Sequence, residues 1–454
     1  MDVYSIIVRK CLFPLYLKKN RSRLQEYLDY YEKTQYFSSG SIEELQWKGL
    51  QKIIKHAYSH TRFYHQRFKD LGLDPDEVNT YRDFIQIPVL TKSDIQNNLK
   101  DIVSHSLSTS DLIADRTGGS TGTPLSFYYD KQRQELREAF RIRSNRWSSW
   151  DIGEKTAIIW GESRNLSDDF KSKIKNNVLR EGIHLDAYSL TEKKMVQFAS
   201  RLRAYEPRTI IAYASALSLF AKYLSESGIT NLHPQGIITS AEALSNDNKQ
   251  LIERVFNCKV FERYGCRELG PIAGECEIHN GLHINAESVF VEILAPETGR
   301  PVKDGDVGEI VVTDILNYAM PFIRYKIGDM GRLLKRKCSC GRGLPLMGPI
   351  EGRTTDYIKT PEGRIIAGPM AIPLLCDIQG IMQAQVIQED INKITIKIRN
   401  NEKFNADSRN ELIKRSREVF GQSFVLSIKY VDSIPCEPSG KFRFVISRIN
   451  NKEK

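Results

Sequence analysis

No stretch of this sequence runs to about 20 apolar residues without interruption, which excludes a membrane-spanning helix. No long basic run accompanies the net charge of +10, because the 66 Lys and Arg are spread along the chain. That spread argues against a nucleic-acid partner and reads as a solvated basic surface with a modest preference for anionic substrates. Internal repeats and low-complexity segments are absent, so repeat architectures are excluded. The first residues, MDVYSIIVRKCLFPLYLKKNRSR, have no basic leader before their apolar segment and no small-residue cleavage site. They do not read as a signal peptide or a stable membrane insertion. A surface-lying amphipathic helix and weak peripheral membrane contact stay open. Without a signal peptide, the eight cysteines are expected to be mostly reduced, which fits a cytoplasmic location.

At 454 residues the chain is too long for one ordinary domain. Apolar residues make up 41 %, with 19 Phe and 20 Tyr, enough for a sizeable core. Residues 21–72 have helical periodicity, and Gly72 suits a helix C-terminus. IPVLTKSDIQNNL reads as an extended segment followed by a helix capped by Thr91 or Ser93. From 130 to 250, short apolar runs (KTAIIWG, TIIAYAS, GIITSAE, CKVFERYG) alternate with helical runs. That alternation predicts a parallel β-sheet covered by helices. Residues 282–335 are β-rich with Gly and Pro turns, which predicts an antiparallel sheet or small barrel. A small α+β unit follows. The expected fold class is α/β: a large N-terminal domain with mostly parallel sheets and a β-rich subdomain (1–352), then a small α+β domain (353–454).

The segment RTGGSTGTPLSF (116–127) holds three glycines, five hydroxyl residues and no acid. Its glycines relax backbone sterics and leave amides uncovered. No Lys follows the last glycine, which excludes a Walker A loop. Such a segment is either a turn or a set of N–H and O–H donors for polyphosphate oxygens. SAEALS (240–245) and YGCRELG (264–270) each follow a strand-like run, so Glu242 and Glu268 fall at C-terminal strand ends, where parallel sheets bind ligands. Each acid is a ligand or metal contact there, or a cap for a helix N-terminus. RYKIGDMG places Asp329 in a turn after a strand, where a carboxylate can accept from a ribose diol. PSGKFR places Lys441 after a turn near the C-terminus.

Two separated clusters, CEIHNGLH (276–283) and CSCGR (338–342), offer metal ligands. Cys276, Cys338, Cys340 and one of His279 or His283 make a four-ligand set for a structural Zn²⁺. Buried thiols or a redox pair are the alternatives. Cys11, Cys258, Cys376 and Cys436 show no partner pattern and read as buried apolar fillers. Cys266 reads as space-filling, with a nucleophilic role as the alternative.

Taken in order, RTGGSTGTP, SAEALS, YGCRELG, YKIGD, GRTTD and PSGK resemble the motifs of the adenylate-forming superfamily of acyl-CoA synthetases. HAYSHTRFY and IPVLTKSDI narrow the resemblance to the phenylacetate–CoA ligase branch and its CapK-type relatives linked to capsular polysaccharide synthesis. It spans roughly residues 30–445. The resemblance implies a carboxylate activated by ATP and Mg²⁺ to an acyl-AMP, then passed to CoA or another acceptor. It also implies that Thr117, Gly118, Gly119, Ser120, Thr121, Gly122 and Thr123 hold the ATP β- and γ-phosphates. Ser240, Ala241 and Glu242 would lie along the adenine and acyl pockets, with Tyr264 and Gly265 bounding them. Glu268 would ligate Mg²⁺, Asp329 the ribose hydroxyls, and Arg353 ribose or phosphate. Lys441 would bridge the attacking carboxylate and the α-phosphate, carried by a mobile small domain.

Tyr213, Ala214 and 236–241 are candidates for the acyl pocket. The implied partners are a small carboxylate and a nucleotide, and a homodimer is compatible with this reading. In one respect the sequence departs from the family: Arg267 stands where a Ser or Thr usually precedes the glutamate. That departure keeps two alternatives in view, a non-CoA adenylating transferase of cell-surface polysaccharide assembly and a catalytically weak nucleotide-binding scaffold.

Overall fold

Five apolar runs form parallel strands, in spatial order Ile183–Asp186, Thr156–Trp160, Thr209–Tyr213, Gly236–Ser240 and Val260–Cys266. The computed structural model describes residues 2–117, 125–161, 182–187, 190–296, 298–353, 357–361, 365–367, 378–435 and 443–449. Every residue of Gly236–Ser240 is buried, as expected for a strand covered on both faces. Ala157, Ile159, Ile210, Ala212 and Ile237 repeat every second residue and so share one face. They pack on Phe198, Leu217, Phe220 and Phe256 from the helices Glu192–Tyr205, Ala214–Glu226 and Asn246–Phe256. Thr191 and Ser245 cap the first and third of these, each accepting from the amide three residues on.

The sheet continues in antiparallel sense through Gly270–Glu275, Leu282–Ile284, Leu346–Met347 and Leu333–Leu334. The expected β-rich region is therefore divided. LHI stays with the main sheet, whereas Val289–Leu294 opens a second, antiparallel sheet with Gly308–Asp314, Tyr325–Gly331 and Gly352–Arg353. Helices Ser39–His60 and Arg62–Leu71 cover this second sheet, packing Leu50, Ile53, Tyr64 and Phe68 on Val291, Val312 and Phe322. Gly72 ends the latter helix at φ 62°, a left-handed conformation that glycine adopts without strain. Thr91, not Ser93, caps Lys92–Asn97.

The helix Lys131–Arg146 is rich in charge yet deeply buried. Its two fully buried cations are matched. Arg133 Nη2 lies 2.7 Å from Asp314, and Arg143 Nη1 lies 2.6 Å from Glu287. In the C-terminal part, strands lie in the order Val425–Tyr430, Lys393–Asn400, Ile381–Asp390, Val445–Ser447 beside the helix Ala406–Phe420. Val386, Ile396, Leu412 and Phe420 give it a core of its own, which Ile358 joins. Lys222 donates to the Ile381 carbonyl at 3.1 Å, one contact between the two parts.

Candidate functional site

The glycine segment grows from a hairpin rather than from a strand-to-helix turn. Ile113–Arg116 pairs antiparallel with Ser126–Tyr129. Thr117 closes the stem: its amide donates to the Leu125 carbonyl and its hydroxyl accepts from the Leu125 amide, both at 2.9 Å. Leu125 and Phe127 anchor the stem in the core. Gly118, Gly119, Ser120, Thr121, Gly122 and Thr123 lie outside the described residues, as does Lys441. The backbone of Arg353 pairs with Asp329 at the edge of the second sheet, and its side chain lies outside the description.

Beside the stem stands the turn that follows Val260–Cys266. Arg267 clamps Asp115 with both sides of its guanidinium, at 3.0 and 3.2 Å. Arg137 donates to the Arg267 carbonyl and lies 4.9 Å from the Tyr129 ring centroid. The turn is close-packed. A Cβ on Gly265 would fall 2.4 Å from the Gly270 carbonyl oxygen, and one on Gly270, already at φ 79°, would meet Arg137 at 2.7 Å. Gly265 is thus required by the approach of two strands.

Two acids converge here from different sheets. The Tyr325 hydroxyl donates to Glu268 at 3.2 Å, and the Tyr264 hydroxyl donates to Asp329 at 2.9 Å. Burial, with Glu268 beside Tyr325 and Asp329 beside Tyr264, pushes both phenols well above their ordinary range, so they remain neutral donors. The strand bearing Tyr325 and Asp329 is held by the IPVL segment: Leu90 donates to the Arg324 carbonyl at 2.8 Å, and Lys326 donates back to Leu90 at 2.9 Å. Burial and the neighbouring Glu268 also push the Cys266 thiol well up, so it is not a ready thiolate, in keeping with a space-filling role.

The loop after Gly236–Ser240 has a local strain. Ala241 is left-handed at φ 73°, uncommon for a residue with a Cβ. That turn brings Glu242 to the start of Ala214–Glu226, where its carboxylate accepts from the Ser215 amide at 2.8 Å. Glu242 therefore caps a helix N-terminus, on the preceding helix rather than the following one. The Ser240 hydroxyl donates to the Arg263 carbonyl at 3.0 Å.

Strand order reverses between Thr156–Trp160 and Thr209–Tyr213, the place where open α/β sheets bind ligands. There the Trp160 and Tyr213 rings lie 4.0 Å apart. The sequence reading singled out Tyr213 and passed over Trp160, although a tryptophan ending an apolar strand was a usable signal.

At the other end of the antiparallel extension, Cys276, His283, Cys338 and Cys340 place all four ligand atoms within 4.8 Å of one another. Cys276 and Cys338 sulfurs are 3.7 Å apart, and Cys340 Sγ is 3.3 Å from His283 Nε2. A tetrahedral zinc with Zn–S bonds of about 2.3 Å sets its sulfurs about 3.8 Å apart, so the spacing fits Zn²⁺. His283 Nδ1 faces the Leu344 carbonyl at 3.4 Å, which directs Nε2 to the cluster. His279 lies apart, 3.4 Å from Glu275 and with its ring centroid 4.5 Å from that of Phe261. Cys11 corrects an expectation: it is exposed, on the outer side of its helix, not buried. Cys258 is half-buried, and burial pushes its thiol up to about 12. Cys376 and Cys436 lie outside the described residues.

Residues 358–448 match the CapK C-terminal domain. The chain is 24 % identical over 421 residues to Protein CapK of Staphylococcus aureus, covering 89 % of each. It is 25 % identical over 322 residues to a phenylacetate-coenzyme A ligase of Pseudomonas putida, covering 70 % of each. Its fold is that of 2-hydroxyisobutyryl-CoA ligase in the postadenylation state, with a TM-score of 0.75, 18 % identity and 93 % of each chain covered.

Proposed function

From a chain that belongs to the phenylacetate–CoA ligase and CapK branch of the adenylate-forming enzymes, we propose a ligase that activates a carboxylic acid with ATP. A carboxylate oxygen attacks the α-phosphorus, the bond from that phosphorus to the bridging oxygen breaks, and pyrophosphate leaves. The acyl group then passes to CoA or another acceptor, with release of AMP. One observation carries the reading: Glu268, Asp329 and the stem of the glycine hairpin meet at one place, joined through Tyr325, Tyr264 and the Arg267–Asp115 pair.

The roles follow from chemistry. Two anions must meet, so cations and donors fixed in advance lower the barrier. Glu268 would hold Mg²⁺, which supplies charge neutralisation at the phosphates. Tyr325 orients that carboxylate without neutralising it. Asp329, oriented by Tyr264, would accept from the ribose hydroxyls. Trp160 and Tyr213 are proposed as walls of the acyl pocket. The small domain, from about residue 353, would bring Lys441 to the reacting oxygens and remove it afterwards. The four-ligand cluster is proposed as a structural Zn²⁺ site, pinning the 338–347 loop to the sheet edge.

The test is pyrophosphate release from ATP with a panel of aliphatic, aromatic and hydroxylated acids, with and without CoA. Release with at least one acid, lowered about a thousand-fold by Lys441→Ala, is the expected result. Failure of every acid, together with no ATP binding, rejects the enzyme. Release with AMP discharge unaffected by CoA would move the acceptor away from CoA.

A further inference from the structure

The N-terminal helix carries a surface that the adenylating site does not use. It runs as α-helix Val3–Ile7, a π turn Val8–Leu12 and α-helix Phe13–Lys19. One side is fixed to the body. Val8 and Leu17 are buried with Leu24, Leu28, Phe140 and Ile152. Ser5 donates to the Gly153 carbonyl at 3.0 Å, and Arg9 reaches Asp151 at 3.0 Å and Glu154 at 3.1 Å. The other side is apolar and open: Val3, Ile7 and Leu15 are 70 %, 43 % and 63 % exposed, and Ile6, Cys11 and Tyr16 are exposed with them.

Ile7, Cys11 and Leu15 recur every fourth residue. Four residues overshoot a turn of α-helix and undershoot a turn of π-helix, so the mixed helix keeps them on one side. Residues 3–21 contain Arg9, Lys10, Lys18, Lys19 and Arg21 and no acid. Lys131 joins the cluster by donating to the Asn20 carbonyl at 3.1 Å. An apolar stripe ending in Lys18, Lys19 and Arg21, which meet no acid among the described residues, matches the interface of an anionic bilayer: the stripe enters the acyl boundary while lysine stems reach the headgroups.

We propose that this face docks on anionic lipid surfaces, lying in the interface plane without spanning it. Charge complementarity selects the occupant, since an uncharged surface would leave the terminal cations without counter-charges.

The test is co-sedimentation of the full chain with phosphatidylglycerol–phosphatidylcholine vesicles and with phosphatidylcholine vesicles alone, at low and high salt. Expected is partition onto the mixed vesicles, at least about ten-fold weaker on neutral ones and reduced by salt. Lys18→Gln/Lys19→Gln should lower partition roughly thirty-fold. Ile7→Ser/Leu15→Ser should also lower it markedly, both variants keeping the wild-type thermal transition. A wild-type chain that stays in solution with the mixed vesicles overturns the proposal. So does partition that ignores Ile7→Ser/Leu15→Ser. Self-association of the wild type that these serines abolish, without lipid binding, overturns it in favour of a second copy.

Discussion

Two sets of buried or half-buried acids in this molecule are held in opposite ways. Asp314, Glu287 and Glu292 each face a guanidinium, from Arg133, Arg143 and Arg324. Glu268, in the turn after Val260–Cys266, and Asp329, within the strand Tyr325–Gly331 rather than in the turn expected from the sequence, instead accept from the phenols Tyr325 and Tyr264. An arginine matches a carboxylate in charge and shape, and so ties it to the fold. A phenol donates a single hydrogen bond and brings no charge of its own to cancel that of the carboxylate. The difference separates acids that hold the fold together from the acids proposed to meet a ligand.

The sharpest way to break the comparison is Glu287→Ala. It strands Arg143 in a fully buried site and should cost about 3–5 kcal/mol, read as a lowered urea midpoint. A loss below about 1 kcal/mol would erase the distinction. Glu268→Gln should do the reverse, with stability changed by less than about 1 kcal/mol and MgATP-dependent pyrophosphate release down about a hundred-fold.

Removal of metal from the Cys276, His283, Cys338 and Cys340 cluster tests a third kind of polar site. The purified chain should contain about one zinc, and Cys338→Ser should lose it and unfold at lower temperature. A zinc-free chain with an unchanged melting curve would reject the site. The smallest effect is expected of Tyr264→Phe, which removes one donor to Asp329. The apparent KM for ATP should rise about five-fold, the equivalent of about 1 kcal/mol, with little change in stability. An equal fall in stability would assign this phenol to the structural set.

Much of the architecture was legible because it is local. Apolar runs of strand length and helical periodicity between them marked the parallel sheet, and Thr91 and Gly72 marked helix ends. What escaped was the strand Gly270–Glu275 and the division of the β-rich region between two sheets, because neither boundary changes the local pattern. The buried course of Lys131–Arg146 escaped for a related reason: a polar helix reads as solvated until acids over 100 residues away are placed against it. Glu242 shows both sides, since helix capping was one reading of it, but the helix it caps precedes it in the chain.

By itself, the sequence determined the alternation of elements, the order of motifs and the candidates for contacts with phosphate, metal and ribose. Those properties depend on residue type and near neighbours. Only the tertiary structure decided that His283 rather than His279 joins the cysteines, and that phenols orient Glu268 and Asp329. It also decided that Arg267 clamps Asp115. Each of those outcomes is a distance of a few ångströms between groups far apart along the chain or turned to different sides of a strand, and such a distance exists only once the sheets have packed.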